Sequence, residues 1–388
     1  DRGDRGDRGD RGKQPTNNQQ QPTNNPFSIK TVPIPQEWIK TKKGLIIGGL
    51  AQPQDPEQYC QSVGELSQAL QFPVLAEGLS PLRNYADVNP YLITTYDSLL
   101  RNAKTASALT PDLVIQLGPL PTSKILRAWL KELTCPRWII ASTWENFDPL
   151  QGQTRSLTTP VEQFETPEHR QQPTDYLKRW LDCDRTLQDH RNTTLENTSH
   201  LFEGKLPWIL SQTLPKNTPL LIANSMPVRD VEYFWQPNNR HIYPYFNRGA
   251  NGIDGTLSTA FGIAHHNQST VLLTGDLALL HDSNGFLHRP HLQGHLTIIL
   301  INNNGGGIFE MLPIAQFEPP FEDYFATPQS VEFAPLCQAY GIEYHPIDTW
   351  EALEALLNPL PKSGVRLLEI PTQRRADAQL RFWIMGNG

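Results

Sequence analysis

Gly275-Asp276 closes the apolar run Thr270–Thr274, and Asn302-Asn303-Asn304-Gly305-Gly306-Gly307 closes the run Leu296–Ile301. A glycine lets a phosphate approach the backbone. A carboxylate such as Asp276 can hold Mg²⁺, and an asparagine side-chain carbonyl with a loop carbonyl can add two more oxygens. Magnesium takes about six oxygens and commonly draws some from substrate phosphates. The two turns together therefore suggest a metal-diphosphate cradle. Singly, Gly-Asp and Asn-Gly are ordinary turn dipeptides of α/β proteins. The reading rests on their pairing: Asp276 precedes Asn303 by 27 positions (303 minus 276), room for one helix and one strand.

The elements around these turns predict an α/β fold of two doubly wound, mainly parallel-sheet domains. Leu220–Ala223, His241–Tyr245, Thr270–Thr274, Leu296–Ile301 and Val365–Ile370 read as buried strands, with helical patterns between most of them. Asp254–His266 is the clearest helix, with Ile253, Leu257, Phe261 and Ile263 as its buried face. Upstream, Gly44–Gly49, Phe72–Ala76, Asp112–Gly118 and Pro136–Ala141 read as further strands, separated by helical spacing over Pro56–Ala69 and Pro121–Leu133. The expected domains are 27–172, ending in a Pro/Thr/Gln/Glu-rich connecting segment from about 150, and 173–388, opening with a long polar helix over Tyr176–Phe202. In such sheets ligands sit at the carboxyl ends of strands, where both turns fall.

Residues 1–12 repeat Asp-Arg-Gly four times, and 13–25 are almost wholly Gln, Asn, Pro and Thr. Segments of this kind bury too little apolar surface to offset ordering entropy, so 1–26 is expected to be a disordered tail, its Arg-Gly-Asp triplets solvated rather than adhesive. The 388 residues exceed one ordinary core; 38% are hydrophobic and 19% charged. No apolar run reaches the ~20 residues of a membrane helix. With no secretory signal pattern, a cytoplasmic location is expected. The net charge of −7 argues against a nucleic-acid partner and favours small molecules. Cys60, Cys135, Cys183 and Cys337 are too scattered for a zinc site or disulfide framework and read as ordinary buried thiols.

The 27-residue spacing resembles the thiamine-diphosphate motif, Gly-Asp followed by Asn-Asn, with Leu277 where that motif usually has a third-position glycine. Three flanking words narrow the resemblance: Phe246-Asn-Arg-Gly-Ala-Asn-Gly-Ile-Asp-Gly255, Gly275-Asp-Leu-Ala-Leu-Leu-His-Asp-Ser-Asn284 and Asn302-Asn-Asn-Gly-Gly-Gly-Ile-Phe-Glu-Met-Leu-Pro313. They are similar to those of the 2-succinyl-5-enolpyruvyl-6-hydroxy-3-cyclohexene-1-carboxylate synthase family, enzymes of menaquinone and phylloquinone formation. The resemblance spans roughly 27–388 and covers that family's central and C-terminal domains. It leads to the expectation that the family's pyrimidine-binding domain is absent from this chain.

The resemblance implies thiamine diphosphate with Mg²⁺ (or Mn²⁺) as cofactors. Asp276 and Asn303 would ligate the metal through side chains and Gly305 through its carbonyl. Gly275, Leu277 and Ile253 would also contact the cofactor, Ile253 lying beneath the thiazolium ring, while Ile308 and Phe309 form an apolar wall. The implied reaction is decarboxylation of 2-oxoglutarate and addition of the succinyl unit to isochorismate. Both substrates are dianionic, and Arg229 and Arg248 are the implied carboxylate forks. Ser225 would supply a hydroxyl donor, and Lys124 matches a substrate-side lysine. A homo-oligomer, or pairing with a pyrimidine-binding domain, is implied. Two other readings stay open: another thiamine-diphosphate 2-oxo acid decarboxylase or synthase, and a cofactor-binding subunit without catalysis of its own.

Overall fold

The computed structural model describes residues 31–165, 172–266 and 269–386. The tail expected over 1–26 lies outside them. The chain builds two six-stranded, all-parallel sheets flanked by helices. The first contains β1 (Gly44–Gly48), β2 (Val74–Ala76), β3 (Leu92–Ile93), β4 (Leu113–Leu117), β5 (Arg137–Ala141) and β6 (Thr154–Thr158), in the order β3-β2-β1-β4-β5-β6. The second contains β7 (Pro219–Ile222), β8 (Tyr243–Phe246), β9 (Thr270–Gly275), β10 (His295–Asn302), β11 (Glu343–Pro346) and β12 (Gly364–Pro371), in the order β11-β12-β10-β9-β7-β8.

The central strands are buried on both faces, as parallel sheets covered by helices require. Alternate residues of β10 enter different cores: Leu296, Ile298 and Leu300 pack with Leu257 and Phe261, whereas Ile299 and Ile301 pack with Leu206 and Trp350. In β1, Ile46 enters one core and Leu45 and Ile47 the other. Gly44 must be glycine, because a Cβ there would lie 1.9 Å from the ring of Phe72. The helix Pro56–Leu70 begins at Asp55, whose side chain accepts from the N–H of Gln58 at 3.0 Å, with Pro56 in its first turn.

Two segments differ from the sequence reading. The stretch expected to connect the domains supplies β6, an edge strand with mostly outward, polar side chains. Such an edge has no apolar alternation to read. The long helix, Asp175–Asn197, does not belong wholly to the second domain. Its Tyr176 and Trp180 pack in the first domain's core, while Leu195 packs beside Phe202 and Phe234 of the second.

Arg83, fully buried, joins the first domain to the helix Met226–Phe234 of the second. It donates to the carbonyls of Ala76 and Glu232, each at 2.8 Å, and to the Glu232 carboxylate at 3.1 Å. His241 stacks on Tyr85 at 4.3 Å between centroids, and Trp235 donates to the Asn84 side chain at 2.9 Å.

Candidate functional site

In the second sheet β7 lies between β8 and β9. The connection leaving β7 therefore turns one way while β9 lies the other way, which opens a crevice at their carboxyl ends where α/β sheets bind ligands. A cavity of about 310 Å³ occupies that place. It is lined by Ser225, Arg229, Arg248, Ile253, Gly275, Asp276, Leu277, Asn303, Gly305, Ile308 and Phe309. The structure thus brings together every site residue singled out in the sequence except Lys124.

One wall is acidic and amide-lined. Asp276 begins a short helix directly after β9 and is buried; its carboxylate accepts from the N–H of Leu277 at 2.8 Å and of Gly305 at 2.7 Å. Burial pushes its carboxyl up to about 6, against the pull of those N–H groups, and nearby Glu203 adds to the rise. Asn303 follows β10 and donates through Nδ2 to Glu203 at 3.1 Å, while its buried Oδ1 has no hydrogen-bond partner among the described residues. A buried, unpartnered carbonyl oxygen is a costly feature that a cation would relieve. Gly305 has φ +133°, and a Cβ there would lie 2.3 Å from the carbonyl oxygen of Ala326. At Gly275 a Cβ would meet nothing within 4 Å, so the backbone there faces open space. This donor set suits a divalent metal that also takes oxygens from a diphosphate. Among the described residues no group of three or more His, Cys, Asp or Glu side chains could hold a metal alone. Asp276 and the oxygens of Asn303 and Gly305 would leave positions in the shell for phosphate oxygens and water.

The opposite wall is cationic. Asn224 follows β7 and spans the turn carrying Arg248: its Nδ2 donates to the carbonyls of Asn247 at 2.9 Å and Gly252 at 2.7 Å, and its Oδ1 accepts from Arg248 at 2.8 Å. Arg229, one turn into the helix Met226–Phe234, donates to the carbonyl of Ser225. Neither arginine forms an ion pair among the described residues. Burial lowers the pKa of each, and the charge of Arg229 lowers that of Arg248 further. Two partly desolvated cations facing one cavity favour an anionic guest. Ser225 has φ +74°, ψ −129°, a strained conformation for a residue with a side chain, of a kind concentrated at functional sites.

Ile308 and Phe309 lie in the short turn Gly307–Met311, Phe309 edge-on to Phe325 at 5.5 Å. Ile253 is half-buried just ahead of the helix Thr256–Ala264; Leu257 and Phe261 are buried in that helix and Ile263 is half-buried. Lys124 is exposed at the first turn of the helix Lys124–Glu132 and lines a second cavity of about 270 Å³ with Arg101. That cavity shares Met226, Arg229 and Ile308 with the first, so Lys124 stands next to the main cavity but not in it.

Asn224 and Glu203 line the cavity but were not singled out in the sequence. Asn224 carried a signal, standing directly after a predicted buried strand. Glu203 had none, since a lone acid before a helical pattern reads as solvated.

Comparison with known proteins agrees with this geometry. The family model described as the middle domain of thiamine pyrophosphate enzymes matches residues 13–222, and that for the C-terminal TPP binding domain of thiamine pyrophosphate enzymes matches residues 227–370. Three similar proteins carry the name 2-succinyl-5-enolpyruvyl-6-hydroxy-3-cyclohexene-1-carboxylate synthase. That of Trichormus variabilis is 57% identical over 351 residues, covering 90% of this chain and 60% of the relative. That of Trichodesmium erythraeum is 58% identical over 349 residues, 89% of this chain and 60% of the relative. That of Nostoc sp. is 55% identical over 363 residues, 93% of this chain and 61% of the relative. The chain spans about 60% of the length of these curated relatives. With the middle-domain match covering more than half of the sequence and the TPP-binding match holding Asp276, Asn303 and most of the other residues that line the cavity, the chain belongs to the thiamine pyrophosphate (thiamine diphosphate) enzyme family.

Proposed function

We propose that this chain carries the diphosphate- and metal-binding part of a 2-succinyl-5-enolpyruvyl-6-hydroxy-3-cyclohexene-1-carboxylate synthase, acting with Mg²⁺ or Mn²⁺ and with a pyrimidine-binding domain. The reaction is decarboxylation of 2-oxoglutarate and addition of the succinyl unit to isochorismate. One observation supports it most: a single cavity has a buried carboxylate and, among the described residues, an unpartnered amide oxygen on one wall and two arginines without ion pairs on the other. The relatives' names supply the substrate class.

Asp276, Asn303 and the Gly305 carbonyl hold the metal, and Gly275 gives the diphosphate room. When bound, thiamine diphosphate supplies an electron sink for the carbon that loses carbon dioxide. Arg248, oriented by Asn224, and Arg229 bind the substrate carboxylates in a site where low solvent access strengthens charge pairing. Ser225 adds a donor to the same wall, and Lys124 reaches a carboxylate from the adjoining cavity. Ile253, Ile308 and Phe309 exclude water.

The test is carbon dioxide release and product formation from 2-oxoglutarate and isochorismate, with thiamine diphosphate and Mg²⁺, by the chain co-expressed with a pyrimidine-binding domain from a relative. Turnover that needs both substrates is expected. Decarboxylation of pyruvate in preference to 2-oxoglutarate would point to another thiamine-diphosphate enzyme. Cofactor binding without turnover of any 2-oxo acid would point to a binding subunit.

A further inference from the structure

An asparagine amide has a donor end and an acceptor end of nearly the same shape, so its neighbours decide which end faces a ligand. For Asn303 that neighbour is Glu203, just ahead of the helix Lys205–Thr213. A carboxylate can only accept. The 3.1 Å contact to Glu203 therefore requires Nδ2 on that side and leaves the buried Oδ1 without a partner. The reversed amide would set oxygen against oxygen.

We propose that Glu203 is a positioning residue that fixes the Asn303 amide with its carbonyl oxygen toward the divalent metal; the inference rests on the metal-site reading above. Glu203 is itself held by two further residues. Its other carboxylate oxygen accepts from Arg381 at 2.7 Å, and its backbone N–H donates to Asp377 at 3.0 Å. Arg381, fully buried, is fixed in turn by two bonds to Asp230, at 2.7 and 2.9 Å. Asp230 lies on the helix that carries Arg229, so both walls of the cavity share this anchor. Gly307 leaves room for the arrangement, since a Cβ there would lie 2.6 Å from Asn303 Nδ2. Partners that orient a metal's direct ligands are typically worth about 10–100-fold in metal affinity.

A carboxylate near the cavity could also act simply as negative charge, and a reciprocal exchange separates the two roles. In Glu203→Gln the amide oxygen must face Arg381, so its N–H₂ faces residue 303. Against Asn303 that sets donor against donor. Against the acid of Asn303→Asp it restores a hydrogen bond. The measurement is Mn²⁺ affinity in the presence of thiamine diphosphate, read from the electron paramagnetic resonance signal of free Mn²⁺. It is made on the full chain as wild type, Glu203→Gln, Asn303→Asp and the double variant, with circular dichroism to verify folding. Glu203→Gln is expected to weaken Mn²⁺ binding about 10–100-fold when residue 303 is Asn and to strengthen it when residue 303 is Asp. Weakening in both backgrounds, or no change in either, overturns the proposal. If Glu203→Gln alone does not fold, the comparison of Asn303→Asp with the double variant decides. A folded wild type that takes up no Mn²⁺ with thiamine diphosphate overturns the metal-site reading, and this inference with it.

Discussion

At the scale of single residues the site depends on groups held away from their solution behaviour. Burial pushes the Asp276 carboxyl up to about 6, and nearby Glu203 adds to the rise. Metal must displace that proton. Mg²⁺ affinity in the presence of thiamine diphosphate is therefore expected to rise with pH to about 6 and level off above it. Below that it should fall by about tenfold per pH unit. Calorimetric titrations between pH 5 and pH 8 check this; a flat profile contradicts it. Arg248 lies on the other wall. Arg248→Ala should leave thiamine-diphosphate affinity unchanged while weakening use of 2-oxoglutarate or isochorismate by roughly 1.5–3 kcal/mol in kcat/KM. An equal loss of cofactor affinity would assign Arg248 to the diphosphate instead. These residues were legible because chemistry fixes their types: a carboxylate, an amide and glycines at strand ends. Glu203 was not legible, because its part depends on a partner 100 positions away that only the folded chain brings near.

At the scale of elements, the turn over Asn247–Gly252 is held by Asn224 through three hydrogen bonds. Asn224→Ala should reproduce much of the substrate defect of Arg248→Ala. It should also cost about 1–3 kcal/mol of stability in urea unfolding, because the Arg248 guanidinium and two carbonyls lose a partner. Wild-type kinetics in this variant would show that Arg248 is positioned by something else. The elements that escaped the sequence follow a pattern. β3, β6 and β11 are all at sheet edges; β3 has two residues, and the other two present mostly polar side chains, none of them fully buried. β6 and β11 bury little, and β3, though buried, is too short, so none shows the apolar run that marked β1, β4, β9, β10 and β12. The domain assignment of the helix Asp175–Asn197 was hidden for a related reason: its buried residues serve two cores, and no local pattern records which core each one enters.

At the scale of the molecule, the two domains are joined through buried charge. Arg83 faces Glu232 and Glu77, two carboxyls that burial pushes up. Arg83→Met should destabilise the protein by about 3–5 kcal/mol at pH 7, since it leaves buried acids without a counter-charge. The loss should shrink as pH falls and those acids protonate, which urea unfolding at pH 7 and pH 5 reads directly. A loss independent of pH would place the effect in packing and in the carbonyls that Arg83 serves. Whether the cavity between β7 and β9 holds a metal-bound diphosphate is decided most directly by one calorimetric experiment. Thiamine diphosphate is titrated into the full chain with and without Mg²⁺, for wild type and for Asp276→Ala. Wild type is expected to bind the cofactor tightly only with Mg²⁺, and Asp276→Ala to lose that metal-dependent binding. Binding that ignores Mg²⁺, or survives undiminished in Asp276→Ala, would contradict the assignment of the site.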